Sequence, residues 1–403
     1  MTPNPESNPQ RASPSRRRRP WKGAIAVGVV ALLVGVALTT RRAEEAPRLE
    51  TAKAPVARAE GPGAKATVAP GGSAGPARAE APPPRFESTV CWRELERFNE
   101  AVTLDTFREW AAPLLASSDP TVHQYLKERL AELIGNDAGR ASQVLGWVRD
   151  TAAQDLSLYL AALRESQAVH LPQVAAQLAD LAVSGNLEHD KRMQVLVALD
   201  SQKRLKPAVL DSLADFAKDP GSGEAGWIAT RTIARVMKKD LAQNGNIKPY
   251  LDKLLAIGTG SPDEEIRSLA LTMPMHAAPV LDAETTGKFA KVLVTEGSED
   301  GREAAAHNLS LSTDKKRVLE IYANAFKTEQ NLCVRWAIFR FAARAAGRDA
   351  LPVMAEMAIV DPRFQPDYHA FESIYASGVV DFERVWLSLP TQDPHGCLHK
   401  AHD

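Results

Sequence analysis

The chain has 403 residues, 44% of them hydrophobic and 6% aromatic, with a formal net charge of −1. That length holds one large domain plus tails. The scarcity of alternating apolar–polar runs excludes a sheet-rich fold and predicts an almost purely helical one. The overall charge hides an asymmetry: residues 1–85 carry 14 Lys and Arg against 6 Asp and Glu, leaving 35 against 44 in the rest. An acidic folded part is a poor nucleic-acid binder, because phosphate contacts dominate that affinity, so no nucleic-acid partner is expected.

Residues 1–22 are rich in Pro, Ser, Asn and Arg and read as a disordered basic tail containing Arg16, Arg17, Arg18 and Arg19. Residues 23–40, GAIAVGVVALLVGVALTT, carry no charge. At 1.5 Å per residue they span roughly 27 Å, close to a hydrocarbon core. The arginines and Lys22 precede this segment, and Trp21 sits where an interfacial aromatic belongs, so the positive-inside rule places the N-terminus in the cytoplasm. Arg41 and Arg42 on the far side blunt that bias. The competing reading is a cleaved signal peptide, for which Ala37-Leu38-Thr39 is a weak site. Residues 41–85 are rich in Ala, Pro and Gly without an apolar period and read as a disordered linker, spanning roughly 37 Å as a flexible coil. Such stretches resemble those of high-GC bacterial envelope proteins. The expected location is therefore a bacterial inner membrane, single-pass, with the folded part in the periplasm.

The folded part is expected over residues 86–390. Phe86–Ala112, with Trp92, Leu95, Phe98, Val102, Leu104, Phe107 and Trp110, reads as an amino-terminal cap. Asn246–Ala278 shows the plan of one helical unit. Asn246 is the expected N-cap of a first helix with Pro249 in its first turn. Ile247, Leu251, Leu254 and Leu255 form its apolar stripe. Gly258, Gly260 and Pro262 are expected to stop it. Ser261, Pro262, Asp263 and Glu264 read as a capping box with Pro at the first helical position, and Ile266, Leu269, Ala270 and Met273 form the stripe of a second helix. Each helix is too short to be stable alone.

The unit recurs. The first buried positions of successive second helices are Val122, Leu156, Met193, Ile228, Ile266, Ala304, Val334 and Tyr368. A period in the thirties with two helices per unit is the pattern of a stacked α-solenoid. Ile266-Arg267 and Val334-Arg335, with Asp119-Pro120 and Ser261-Pro262 in the turns before second helices, make residues 95–390 resemble the HEAT-repeat family. The units around Leu156 and Tyr368 depart from it in lacking the Arg. The resemblance implies a right-handed all-α solenoid of about eight helical hairpins, with the second helices lining a concave face. Val379–Leu389, with Phe382, Val385 and Trp386, reads as the opposite cap, and residues 391–403 as a loose tail.

No catalytic motif stands out: there is no phosphate-binding loop, His-Glu-x-x-His or Gly-x-Ser-x-Gly. Gly221, Gly223, Gly258 and Gly260 lie in expected inter-helix turns, so no cofactor is implied. His395, Cys397, His399 and His402 are of metal-binding type but lack a second ligand pair of recognisable spacing, and no metal site is assigned. An oxidising compartment permits one bridge among Cys91, Cys333 and Cys397. Cys333 and Cys397 are the candidate pair, against Cys333 as a simple buried residue and against Cys91–Cys397, which requires a solenoid that curls shut.

One Arg recurs near the start of five successive second helices: Arg192, Arg231, Arg267, Arg302 and Arg335. Two readings compete. In a structural ladder each Arg pairs with an acid of its own or the adjacent turn, as Glu296 and Glu329, six residues before Arg302 and Arg335, invite. In a binding groove the series, flanked by Trp227 and Trp336 as candidate anchors, faces an acidic partner. Arg267 has no acid six residues before it and is the expected exposed member. The sequence thus reads as a membrane-tethered, non-enzymatic scaffold for a protein or peptide partner. The alternative is an enzyme or a peptidoglycan- or carbohydrate-binding module on helical pairs, which needs clustered acids, histidines or surface aromatics.

Overall fold

The computed structural model describes residues 92–398 apart from 151, 152 and 246. The basic tail, the apolar segment 23–40, the linker, residues 86–91, and His399 and His402 lie outside the described residues. Among the described residues there is no strand beyond one bridge between Leu281 and Ser312, and no helix is long and apolar enough to cross a membrane.

Helix α1 (Trp92–Ala101) precedes eight helical pairs. These are α2 (Phe107–Leu115) with α3 (Pro120–Ile134), and α4 (Ala138–Asp150) with α5 (Ala153–Glu165). Next come α6 (Pro172–Val183) with α7 (His189–Leu199), and α8 (Pro207–Lys218) with α9 (Gly223–Asn244). Then come α10 (Lys248–Gly260) with α11 (Glu264–Thr272), and α12 (Ala283–Thr295) with α13 (Glu299–Leu309). The last are α14 (Lys315–Thr328) with α15 (Leu332–Ala346), and α16 (Leu351–Val360) with α17 (Gln365–Ala376); α18 (Phe382–Ser388) closes the order. Members of each pair pack on one another. First helices pack on first helices from α4 to α16, and second helices on second helices from α3 to α15. All eight aligned apolar positions fall in second helices, six of them buried and Met193 and Tyr368 half-buried. The apolar period is therefore the inter-layer seam: each stripe is covered by its partner and by the next pair.

The α10–α11 unit shows the local chemistry, with two corrections. Asp263, not Ser261, caps α11, its carboxylate accepting from the Glu265 and Ile266 N–H groups at 2.9 and 3.3 Å. Pro262 therefore lies before the helix. Gly258 does not stop α10, which runs on to Gly260. A Cβ at Gly258 would lie 2.7 Å from the Leu271 side chain, so glycine is there to let α10 and α11 approach; Gly258→Ala should cost roughly 1–3 kcal/mol by overpacking. Asn246 lies outside the described residues, and Ile247 occupies the N-cap position of α10.

The ends are closed differently. At the amino end Phe98 of α1 packs edge-on against Phe107, which stacks on Trp147. Trp110 departs from the expected cap: it is 41% exposed. At the carboxyl end Val385 and Leu389 are buried. Residues 391–398 are not the loose tail that their missing period suggests. Gln392 donates to the Trp386 carbonyl at 3.1 Å, His395 bonds Asp367 at 2.9 Å, and Cys397 is joined to Cys333. Point contacts, rather than a helical stripe, fix this segment, which is why periodicity does not reveal it.

Candidate functional site

Three of the five arginines reach a carboxylate of the following turn, and two of them, Arg267 and Arg302, make the same full set of contacts. Arg267 donates through Nη1 to the Ser261 and Pro262 carbonyls at 3.1 and 3.3 Å, and through Nε to Glu296 at 3.3 Å. Arg302 repeats this on the Glu296 and Gly297 carbonyls at 2.9 and 3.0 Å, and grips both oxygens of Glu329 at 2.8 and 3.3 Å. Arg335 reaches Asp361 at 2.8 Å and lies over the Phe326 ring. Each guanidinium thus ties the carbonyls of its own turn, or a ring beside it, to a carboxylate of the following turn. The carboxylates are in turn fixed by local N–H groups: Ser298 donates to Glu296, Asn331 to Glu329 and Arg363 to Asp361.

This corrects the expected direction of pairing. Glu296 and Glu329 do not hold the Arg six residues after them; they hold Arg267 and Arg302 of the preceding unit. A helix start points its Arg toward the next unit in the stack, so the acid comes from the turn ahead. Arg267 is therefore not the exposed, acid-free member. The Arg302–Glu329 pair is largely buried, with side chains 16% and 11% exposed. Two hydrogen bonds between charged groups at such a site are stronger than neutral ones.

Arg192 and Arg231 differ. Arg192 donates to the Ser184 and Leu187 carbonyls at 2.8 and 3.2 Å and lies over Phe216, while Asp219 in the turn ahead accepts from the Gly221 N–H. For Arg231 the turn ahead offers Ser261, whose hydroxyl instead donates to the Ala217 carbonyl. Arg231 lies over Trp227, half-buried on the same helix, and is 4.0 Å from Asp200 behind it. Asp200 is shared: Arg235 reaches its carboxylate at 2.6 Å, and the Lys239 ammonium donates to its backbone carbonyl. Burial, and then the neighbouring Arg235, lower the Arg231 pKa against the pull of Asp200.

Trp336 is not an anchor. It is 1% exposed, stacked against Phe339 and Phe364 and met edge-on by His395. It belongs to α15, whose buried residues lie on every side, as a helix enclosed by two layers requires. Trp386 and His395 lie against it. The Cys333–Cys397 bond has a Cα–Cα distance of 5.2 Å, inside the usual range. Burial raises the Asp367 pKa, opposed by His395 beside it. His395 and Cys397 are thus engaged with protein partners. His307 on α13 faces Arg344 of α15 through Nε2, and burial together with Arg344 lowers its pKa to about 3; it stays neutral and acts as an acceptor.

Arg231 does not stand at a helix start: it is the ninth residue of α9, where the other four arginines are each the fourth of theirs, and counting one Arg per unit misses the rest of α9. Trp227, Arg231, Arg235 and Lys238 recur at four, four and three residues along it, which puts them within one quarter of the helix circumference. Reading the whole helix face, rather than its first turn, reveals that stripe. No family model, curated protein or solved structure matches the chain.

Proposed function

We propose that the chain is a membrane-tethered HEAT-like α-solenoid, right-handed, that holds a protein or peptide partner on the concave face formed by its second helices, outside the cytoplasm. The observation that carries the reading is the unbroken layer of second helices from α3 to α15. Such a layer offers one long surface, of the kind stacked repeats use for extended partners. The uncharged segment 23–40, preceded by Arg16–Arg19, supports the tether and its orientation. The Cys333–Cys397 bond supports an oxidising compartment. No catalytic role is assigned to any residue.

Photo-crosslinking in intact membranes tests this. A crosslinker replacing Arg235 on α9 should capture a discrete partner, and one replacing exposed Lys291 on α12 should not. Capture from Lys291 alone would overturn the concave-face assignment. An export-dependent reporter fused after Pro390 should be active; activity only from a reporter that needs the cytoplasm would overturn the topology.

A further inference from the structure

The folded part is acidic overall, yet one region of it is strongly basic. Helix α9 has 22 residues where its neighbours α7 and α11 have 11 and 9, and beyond α11 the 3-10 turn Met273–Ala277 packs along it. Along the second half of α9 Arg235, Lys238 and Lys239 are exposed, continuing the line begun by Trp227 and Arg231. Two loops lie beside the second half of α9. Gln202 donates to the Val169 carbonyl, tying the α7–α8 loop to the turn before α6. That brings exposed Lys203 and His170 close enough to Lys239 for the two ammonium groups to lower the His170 pKa, after burial. Arg164, at the end of α5, bears on Lys239 in the same way. The carboxylate bearing on this group is Asp200, shared by Arg231, Arg235 and Lys239.

Cations at helix carboxyl ends have an ordinary cause, since they complement the helix dipole. That cause covers Arg164 and Lys203 but not α9. Arg231 and Arg235 stand well inside a helix that ends at Asn244, and the dipole effect fades within the last turn. Nor does the ladder hold them: Arg231 stands five residues further into its helix than the ladder arginines, Ser261 of the turn ahead donates to the Ala217 carbonyl, and the Asp263 carboxylate there caps α11.

We propose that the basic face of α9, with the Lys203 and His170 loops beside it, is the docking surface for an acidic peptide segment of the partner. Trp227 supplies an apolar edge, and the cations supply charge-assisted bonds to successive carboxylates. Charge complementarity selects the occupant. A peptide with clustered Asp and Glu matches a compact patch, whereas a nucleic acid would continue onto the surrounding acidic surface and be repelled there. The inference rests on the scaffold reading and gives it a location and a chemistry.

The test uses the full chain in detergent, with Arg16, Arg17, Arg18 and Arg19 changed to Gln so that the N-terminus does not compete. The probe is fluorescein-labelled oligoglutamate, followed by anisotropy across a salt series. Binding should be saturable, and Arg235→Glu with Lys238→Glu should weaken it by about tenfold or more and flatten its salt dependence. The neutral pair Arg235→Gln with Lys238→Gln, checked for an unchanged melting curve, should weaken it by a smaller factor. Lys315→Glu with Lys316→Glu on α14 makes the same charge change elsewhere and should leave it within about twofold. Equal losses from the α9 and α14 pairs, no saturable binding, or tighter binding of a single-stranded oligonucleotide of equal charge would overturn the proposal. A partner captured by crosslinking whose affinity ignores both salt and the α9 pair would overturn it too, while leaving the scaffold reading standing.

Discussion

Arg302 is the fourth residue of its second helix and Arg231, two units earlier, the ninth of its own, and the same residue type does different work in each. Arg302 is held by two carbonyls of its own turn and both oxygens of Glu329 in the next. Arg231 lies over Trp227, 4.0 Å from a carboxylate that Arg235 already binds. Two things differ: Arg231 stands five residues further into its helix, and the turn ahead of it presents Ser261 where that ahead of Arg302 presents Glu329. The carboxylate ahead of Arg302 ties two units together, whereas Asp219 ahead of Arg192 is taken by the Gly221 N–H and Arg231 lies near Asp200 of the unit behind. The carboxyl-terminal units are therefore braced through these arginines, whereas the middle units are joined by other ion pairs, Arg235 with Asp200 at 2.6 Å and Lys253 with Asp211 at 2.5 Å.

The largest effect should come from the segment that closes the braced end. Cys397→Ser removes a bond spanning 64 residues of sequence and should cost about 2–4 kcal/mol. Denaturant unfolding with and without reductant measures it, and reductant should have no further effect on the variant. Hydrogen exchange should rise in α15 to α18 and stay unchanged in α7 to α9; a rise of equal size in both would erase the contrast between the halves.

Next in size is Arg302→Ala. It leaves Glu329 mostly buried and without its bidentate partner, so it should cost roughly 2–3 kcal/mol, near the lower end for breaking a buried pair. Thermal melts decide it, and a change below about 0.5 kcal/mol, the usual surface value, would show that the pair braces nothing.

Asp361 gives a pH signature. The Arg363 side chain, and after burial's opposing effect Arg335, hold its carboxyl well below the usual carboxylate range. A depressed folded-state value means the contribution is fully present above the unfolded value, about 3.9, and is lost as pH falls through the folded one. The melting difference between the wild-type chain and Asp361→Asn should be constant above about pH 5 and shrink below about pH 4. A gap that widens in acid would mean the carboxyl is not stabilised as its anion.

The smallest effect belongs to the middle. Arg231→Ala removes a side chain 23% exposed beside a carboxylate retained by Arg235, and should shift stability by at most about 0.5 kcal/mol.

Much of this architecture is written in apolar spacing. Ile266 and Val334 mark their helices because a stripe covered from two sides must be apolar wherever the chain is cut. Turn chemistry is less legible. Ser261 and Asp263 are both cap formers, and only the backbone geometry decides that Asp263 caps α11. Gly258 reads as a stop because helix propensity is local, whereas its reason, the approach of Leu271, is tertiary. The direction of the arginine pairing is hidden for the same cause. Six residues along the chain is nearer in sequence than the 27 separating Arg302 from Glu329, but stacked units are nearer in space. Trp336 and residues 391–398 mislead together, since a tail without a period gives no sign that its His395 lies against a tryptophan.

The contrast between the units of Arg302 and Arg231 is tested most directly by two double-mutant cycles run side by side. One joins Arg302→Ala with Glu329→Ala, the other Arg231→Ala with Asp200→Ala, each read by denaturant unfolding. The account predicts a coupling of about 1.5 kcal/mol or more for the first and below about 0.5 kcal/mol for the second. Equal couplings, or a larger one for Arg231 and Asp200, would contradict it.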